Sequence, residues 1–145
     1  MQITSSAFGY NRLIPNEYTC VGADVNPPLS FSDIPSEAVS LALIVDDPDA
    51  TNGDWAHWLV WNINPRTTSI GENSVPDGAT QGQTDFGRSN WGGPCPVSGE
   101  HRYFFRLYAL DIMLDLPAST QKDEIRQNIE SHKIDEVELI GLFSK

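Results

Sequence analysis

The apolar residues of this chain fall in short runs that end at glycine, proline, asparagine or aspartate, and this spacing constrains the fold most. Runs of this length between turn residues are typical of β-strands. They predict four strands: Ser40–Val45 (closed by Asp46-Asp47-Pro48), His57–Ile63, His101–Leu110 and Val137–Phe143. The first run is apolar without alternation, so we expect a strand that is buried on both faces.

One helix is predicted at about residues 119–132, before the last strand. Hydroxyl side chains at its start and acidic side chains in its first turn suit a helix N-terminus. Ile125 and Ile129 lie four residues apart and mark the face that packs on the sheet.

The segment 64–99 is rich in glycine, proline, serine, threonine and asparagine and shows little periodicity. A loop-like segment of this length in a compact domain is usually either functional or disordered. Because it leads directly into the strand at His101, we predict that it is ordered and forms part of a pocket.

The length of 145 residues fits one domain, residues 1–145, and a hydrophobic content of 39% predicts a packed core. Twenty acidic residues against nine basic ones give a net charge of −11, which argues against nucleic acid and anionic membrane partners. No apolar stretch approaches the ~20 residues of a membrane helix. The first residues lack the basic and apolar regions of a secretory signal, so we expect a cytoplasmic location without integral membrane association.

The chain contains two cysteines, Cys20 and Cys95, which are too far apart in sequence for a CxxC motif. Two cysteines in a chain without a secretory signal are more often free than bridged. We therefore expect free thiols, although a disulfide between the two cysteines is an open alternative. No motif of the sequence indicates a cofactor, and we expect none.

Three polar side chains lie at the ends of predicted strands: Asp47 ends the first, His57 opens the second and His101 opens the third. Alternate residues of a strand share a face, so each histidine heads a row of large apolar residues. We expect both rows to face one core, with the two imidazoles half-buried at its rim. Histidines near a carboxylate in such a position are common in binding and catalytic sites.

The sequence Gly92-Gly93-Pro94 is a candidate anion cradle, because glycines allow a turn to expose consecutive N–H groups. A simple turn is the alternative. Asp49 has two interpretations, a cap of its own turn or a pocket residue, and we favour the cap for Asp49 and the pocket for Asp47.

Several enzyme classes find little support. Asp85-Phe86-Gly87 spells the kinase tripeptide, but the chain lacks the other kinase motifs. No nucleophile elbow or phosphate-binding loop is present. Two histidines and one aspartate could ligate a metal, but a glycine-rich loop suits an anion better. A hydrolase is left open by residue type, although no activated nucleophile is visible.

Two motifs resemble the signatures of the phosphatidylethanolamine-binding protein family. The run Leu43–Ala50, followed by Trp55–Trp58, resembles the first signature. Gly93–Pro96 with His101–Tyr103 resembles the second. The likeness to the bacterial and archaeal branch, called YbhB/YbcL-like, extends to residues 18–24, 27–29 and 81–88.

The resemblance implies a mostly β fold: a sandwich of two antiparallel sheets with Greek-key connections, one C-terminal helix and few short helices. It also implies a site for phosphate-like or acetate-like groups and phosphoethanolamine headgroups. The residues carried over to that site are Asp47, His57, Gly93, His101 and Tyr103, to which we add Pro94 and Asp49. Trp55, Trp58 and Trp91 are expected to form its wall.

This chain departs from the family pattern at three places. Thr51 stands where the family has proline, which removes a candidate cis-proline at the pocket lip. Trp91 replaces a commoner tyrosine, and the loop between Pro96 and His101 is short.

The sequence therefore predicts a non-catalytic protein that binds a small anionic ligand. The resemblance also implies a second class, an inhibitor of serine proteases or kinases that acts through the pocket rim and residues 64–99. A metal-dependent or hydrolytic enzyme is the third class, and a homodimer is left open.

Overall fold

Nine β-strands, one α-helix and one turn of 3₁₀ helix (Asn16–Tyr18) make up the computed structural model, which describes residues 1–145. In chain order the elements are β1 (Gln2–Thr4), β2 (Arg12–Leu13), β3 (Leu29–Ser32), β4 (Ser40–Asp47), β5 (Trp55–Ile63), β6 (Ser69–Ile70), β7 (Thr80–Gln81), β8 (Glu100–Leu110), α1 (Lys122–His132) and β9 (Lys133–Ser144).

The strands form two sheets, one of six strands in the order β2-β9-β8-β4-β5-β7 and one of three in the order β1-β3-β6. After β4, β5 and β7 the chain returns to place β8 beside β4, which is a Greek-key order. All pairs are antiparallel except β2 with β9, which is parallel. The expected two-sheet architecture with Greek-key connections is confirmed.

The four predicted strands are present, and each is longer than its apolar run. β4 continues through Asp47, and all eight of its residues are buried. β9 starts at Lys133, directly after the helix. The other five strands, β1, β2, β3, β6 and β7, are only two to four residues long and carry no run that could have predicted them.

The large sheet is covered on both faces, which explains the continuous apolar run in β4. Leu41, Leu43 and Val45 face a core between the two sheets. Ala42 and Ile44 face a second cluster under the helix, where Ile125 and Ile129 are buried as predicted. Alternate residues of β4 therefore belong to different cores.

The helix begins at Lys122, three residues later than the predicted start. The N–H and the hydroxyl of Thr120 both donate to the carbonyl oxygen of Pro117, which makes a separate turn. Thr120 therefore does not cap the helix, and the N-cap residue Gln121 makes no side-chain cap bond. At 11 residues, α1 is too short to cross a membrane.

Cys20 and Cys95 form a disulfide, so the expectation of free thiols was wrong. The segment around Cys20 packs against residues 92–96, which brings together two cysteines that are 75 positions apart. The N–H of Cys20 also donates to the carbonyl of Pro94. Contacts of this range leave no local pattern in the sequence.

Candidate functional site

Asp47, His57 and His101 lie around one open pocket at the ends of β4, β5 and β8, with a volume of about 240 Å³. Nine further residues line it: Ala50, Thr51, Asn52, Trp55, Phe86, Cys95, Pro96, Val97 and Tyr103. The lining is half apolar, with the titratable side chains grouped together, as in many small-ligand sites.

A β-bulge brings His57 into this pocket. Val45 pairs with Trp58 and Asp46 pairs with Ala56, so His57 is an extra residue in β5. A bulge shifts the alternation of side chains along the strand. Leu59 and Trp61, which were expected to share the face of His57, instead belong to the cluster under the helix.

The expectation that both histidine rows face one core is therefore wrong for β5. It is right for β8, where Tyr103, Phe105, Leu107 and Ala109 lie in the core between the sheets. The imidazoles still meet, because the bulge returns the His57 side chain to the face of Tyr103, with ring centroids 5.2 Å apart.

His101 is held by Asp47. Its Nδ1 lies 2.7 Å from Oδ2 of Asp47, whose side chain is only 5% exposed. The other oxygen, Oδ1, accepts the N–H of Asp49 at 2.8 Å. Since Nδ1–H donates to the carboxylate, Nε2 of His101 remains available to a ligand.

His57 is held by the backbone. Its Nδ1 donates to the carbonyl oxygen of Gly92 at 2.6 Å, which again leaves Nε2 without a partner. Burial lowers the pKa of His57, while the Gly92 carbonyl and the charge of Asp47 act in the opposite direction. The empty pocket therefore contains a neutral His57 at neutral pH.

Tyr103 lies beside both imidazoles, with ring centroids 5.2 Å from His57 and 6.5 Å from His101. Its hydroxyl is buried, and the hydroxyl proton has no acceptor, although the nearby backbone N–H of Cys95 lowers the pKa of Tyr103 slightly. Burial raises the pKa of Tyr103, and the charges of Asp47 and Asp49 raise it further, so the hydroxyl keeps its proton. A buried hydroxyl without a partner costs about 1–3 kcal/mol, which a ligand acceptor can recover.

The predicted glycine cradle is not available to a ligand. The N–H of Gly93 donates to Oδ1 of Asp24 at 2.7 Å, and the N–H of Gly92 donates to the carbonyl of His57. A Cβ at Gly93 would lie 2.4 Å from both Asp24 Oδ1 and the Tyr18 carbonyl oxygen. These glycines are required for close packing, and Pro94 is buried outside the pocket lining.

Asp49 neither caps its own turn nor lines the pocket. Its oxygens accept bonds from the guanidinium and the N–H of Arg102 at 2.9–3.0 Å, and Arg102 lowers the pKa of Asp49 to about 2. The turn is capped by Asp47 instead. Asp47 therefore holds both the turn and the imidazole.

Two of the three expected wall tryptophans lie elsewhere. Trp58 is in the core and donates Nε1–H to Gln81, and Trp91 packs against Trp58 and Phe105 outside the pocket lining. Trp55 does line the pocket. The register shift in β5 moves Trp58 onto the core face, which strand alternation alone could not show.

Sequence reasoning missed part of the rim. Thr51 and Asn52 come from the turn after β4, and Pro96 and Val97 come from the turn before β8. Val97 is 89% exposed, which is unusual for a valine and places an apolar side chain at the mouth. Phe86 is the one lining residue from the middle of segment 64–99, which forms part of the pocket as predicted.

No group of three or more histidine, cysteine, aspartate or glutamate side chains is arranged to hold a metal ion. Both oxygens of Asp47 already accept hydrogen bonds, and both Nδ1 atoms are engaged. The groups that remain free are two Nε2 atoms and one phenol hydroxyl, a set that can donate up to three hydrogen bonds when the imidazoles are protonated.

Comparisons with known proteins agree with this architecture. The family model for phosphatidylethanolamine-binding protein matches residues 4–144. The chain belongs to the phosphatidylethanolamine-binding protein family. The expected resemblance is thereby confirmed, and it extends over nearly the whole chain.

Relatives within the family cover this chain from end to end. A UPF0098 protein of Methanothermobacter thermautotrophicus is 47% identical over 100% of this chain and 99% of its own length. A UPF0098 protein of Chlamydia pneumoniae is 42% identical over the same shares.

Two solved structures have the same fold. A putative phosphatidylethanolamine-binding protein homolog, CT736 of Chlamydia trachomatis, superimposes with a TM-score of 0.93 at 42% identity, covering 99% of this chain and 97% of the other. YbcL of E. coli superimposes with a TM-score of 0.94 at 28% identity, covering 99% and 98%.

Proposed function

We propose that this protein is a non-catalytic binding protein for a small oxyanion, such as phosphate or the phosphate of phosphoethanolamine. The observation that supports this best is the orientation of the two imidazoles. Each has its Nδ1–H bonded to an acceptor of the protein, and each keeps Nε2 free at the same pocket. The Tyr103 hydroxyl adds a third donor without a partner.

The binding is coupled to proton uptake. A neutral imidazole with a proton on Nδ1 offers only a lone pair at Nε2, which repels an anion. Protonation turns Nε2 into a charged donor, and Asp47 stabilises the positive charge on His101. A buried, protonated histidine compensates locally for a molecule whose net charge is −11.

A ligand with an amine end also fits this chemistry. Each oxygen of Asp47 accepts one hydrogen bond and retains a second lone-pair site. The Asp49 carboxylate is neutralised by Arg102, so Asp47 is the carboxylate of the pocket that an ammonium group would meet. This favours phosphoethanolamine over phosphate alone.

Calorimetric titration with phosphate and phosphoethanolamine tests the proposal. His101→Gln and His57→Gln each remove one charged donor, which is worth about 1.5–3 kcal/mol, so each should weaken binding roughly tenfold to a hundredfold. His132→Gln is the matched control, because His132 also pairs its Nδ1 with a carboxylate, that of Asp111, but lies outside the pocket.

Binding that is equal in wild type and both pocket variants would contradict the proposal. So would a titration of the wild type that shows no phosphate binding at mildly acidic pH. Loss of binding in the His132 variant would mean that the effect is not specific to the pocket.

A second candidate function is inhibition of a serine protease or kinase through the rim. It is favoured by Val97, which is 89% exposed at the mouth, beside the exposed turn of Thr51 and Asn52. Addition of the protein to chymotrypsin-like proteases, with Val97→Ser as the comparison, separates this function from ligand binding. Inhibition by the wild type that the variant loses would support it.

A further inference from the structure

We propose that Asp24 is a positioning residue of this pocket: by holding the amide of Gly93, its carboxylate fixes segment 92–96 so that His57 presents Nε2 to the ligand. The expected loss of ligand affinity when Asp24 is removed rests on the anion-binding function proposed above. The expected change in the position of the proton on the His57 ring does not depend on that function.

A short chain of hydrogen bonds connects Asp24 to His57. Oδ1 of Asp24 accepts the N–H of Gly93 at 2.7 Å. The preceding residue, Gly92, accepts Nδ1–H of His57 at 2.6 Å and donates its own N–H to the His57 carbonyl at 3.0 Å. The carbonyl of Gly92 and the N–H of Gly93 belong to the same peptide group, so the acceptor that decides which imidazole nitrogen carries the proton lies in the peptide that Asp24 holds.

The contact has little room to adjust. A Cβ on Gly93 would lie 2.4 Å from the Asp24 oxygen, and Gly93 is fully enclosed by the segment around Tyr18. A hydrogen bond to a carboxylate is stronger than one between neutral groups, and Asp24 is half-buried beside the buried Gly93. Asp24 thus keeps the peptide group between Gly92 and Gly93 in a fixed position relative to its own carboxylate.

The backbone of Asp24 is in the left-handed region, with φ of 59°. Aspartate adopts this region more readily than most residues other than glycine, and the conformation is kept here by the N–H of Asp24 donating to the carbonyl of Glu17 at 2.9 Å. This hydrogen bond fixes the backbone from which the Asp24 side chain reaches Gly93.

Asp24 acts through Gly93 and not by contact with a ligand, because it is not among the residues that line the pocket. The charged or titratable groups that face His57 are Asp47, His101 and Tyr103 within the pocket and Asp24 behind the glycine segment. The charge of Asp24 also raises the pKa of His57, in opposition to burial, and so favours the form that binds an anion.

Loss of this contact should not unfold the segment. The disulfide between Cys20 and Cys95 and the hydrogen bond from Cys20 N–H to the Pro94 carbonyl hold the same stretch from its other end. The Asp24→Ala variant is therefore expected to fold and to show a local change at His57.

The test is nitrogen NMR of the histidine rings in the ligand-free protein, followed by sulfate titration. Wild type should show His57 with its proton on Nδ1. Asp24→Ala should show a mixture of the two tautomers and sulfate binding weaker by roughly tenfold.

Asp24→Asn is the conservative rescue, because the amide oxygen of asparagine still accepts the Gly93 N–H. It should keep the wild-type tautomer, with a lower pKa for His57 because the charge is gone. Asp77→Ala is the matched control, since Asp77 is exposed and makes no side-chain hydrogen bond. It should leave both readouts unchanged.

An Asp24→Ala protein with the wild-type His57 tautomer and wild-type sulfate affinity would overturn the proposal. If that variant does not fold, Asp24→Glu decides: the added methylene displaces the carboxylate from the 2.7 Å contact and should also mix the tautomers, and a wild-type His57 tautomer in this variant would overturn the proposal. Wild type that shows the expected tautomer but binds no sulfate would refute the anion-binding function and leave the role of Asp24 in place.

Discussion

His57 and His101 share a pocket but differ in what allows them to carry charge. His101 is paired with the buried carboxylate of Asp47 at 2.7 Å, so its positive charge has a counter-ion. His57 is 3% exposed, and the groups that hydrogen-bond to it are neutral backbone groups of the glycine segment. An anion in the pocket adds a hydrogen-bonded counter-ion to the more distant charges of Asp47 and Asp24, so ligand and proton should bind together.

The packing role of Gly93 can be tested by one methyl group. Gly93→Ala places a Cβ 2.4 Å from the Asp24 oxygen and the Tyr18 carbonyl, so the segments must separate. We expect the free energy of unfolding in urea to fall by about 1–3 kcal/mol. Gly71→Ala is the control, because its Cβ would meet only Ser74 at 3.6 Å. Equal stability of the two variants would contradict this account.

Asp47, His57 and His101 could be predicted as site residues from the sequence. They flank apolar runs, and these runs show where the strands begin and end. The sequence could not show that Gly93 donates to Asp24, 69 positions away. In the sequence, a glycine whose N–H is free to bind an anion looks the same as a glycine whose N–H donates to a carboxylate of the protein. In the structure, the N–H of Gly93 donates to a carboxylate, that of Asp24.

Among the elements, the long strands could be predicted from the sequence. The face of the sheet on which each of their side chains lies could be predicted only in part. The apolar runs of β4, β5, β8 and β9 are visible in the sequence. The five short strands form only because they pair with strands elsewhere in the chain. Two register shifts in the β4–β5 pair, at Val45/Asp46 and at Leu41/Leu43, change which residues share a face. One extra residue in a strand has no signature in composition or spacing.

The disulfide joins the segment before β3 to the segment that forms the pocket wall. It closes a loop of 75 residues, for which the chain-entropy model gives roughly 4 kcal/mol of stabilisation. We expect the Cys20→Ser, Cys95→Ser double variant to lose a free energy of unfolding of that order and to bind sulfate more weakly, since Cys95 lines the pocket.

Reductant provides the control for this prediction. Wild type should become as unstable as the double variant when a thiol reductant is added, and the variant should not respond. A double variant with wild-type stability and affinity would show that the other contacts hold the pocket wall by themselves.

At the scale of the whole molecule, the pocket lies at the end of a sheet that is packed on both faces. The core between the sheets and the cluster under the helix fix β4, β5 and β8, which carry the three central side chains. The helix is further tied by ion pairs from Arg126 to the buried Asp46 and from Lys122 to Asp85. This rigid support suits a site that has to hold side chains in place before a ligand arrives.

The net charge of −11 opposes the approach of any anion, so binding must depend on charge created inside the pocket. Sulfate is the sharpest probe, because its own charge does not change near neutral pH, in contrast to phosphate. Burial lowers the pKa of His57 in the empty protein, and a bound anion raises it. Affinity should therefore be highest below the lowered pKa of His57, which lies under the ordinary value of about 6.5, and should fall as pH rises from there to the higher pKa of His57 in the complex.

Proton uptake during sulfate binding measures this coupling directly. Calorimetric titrations in two buffers of different ionisation enthalpy, above neutral pH, give the number of protons taken up per sulfate bound. The account predicts proton uptake of which about one proton is due to His57, and the His57→Gln variant should lose this part. Sulfate binding of equal strength at acidic and alkaline pH, with no proton taken up, would contradict it.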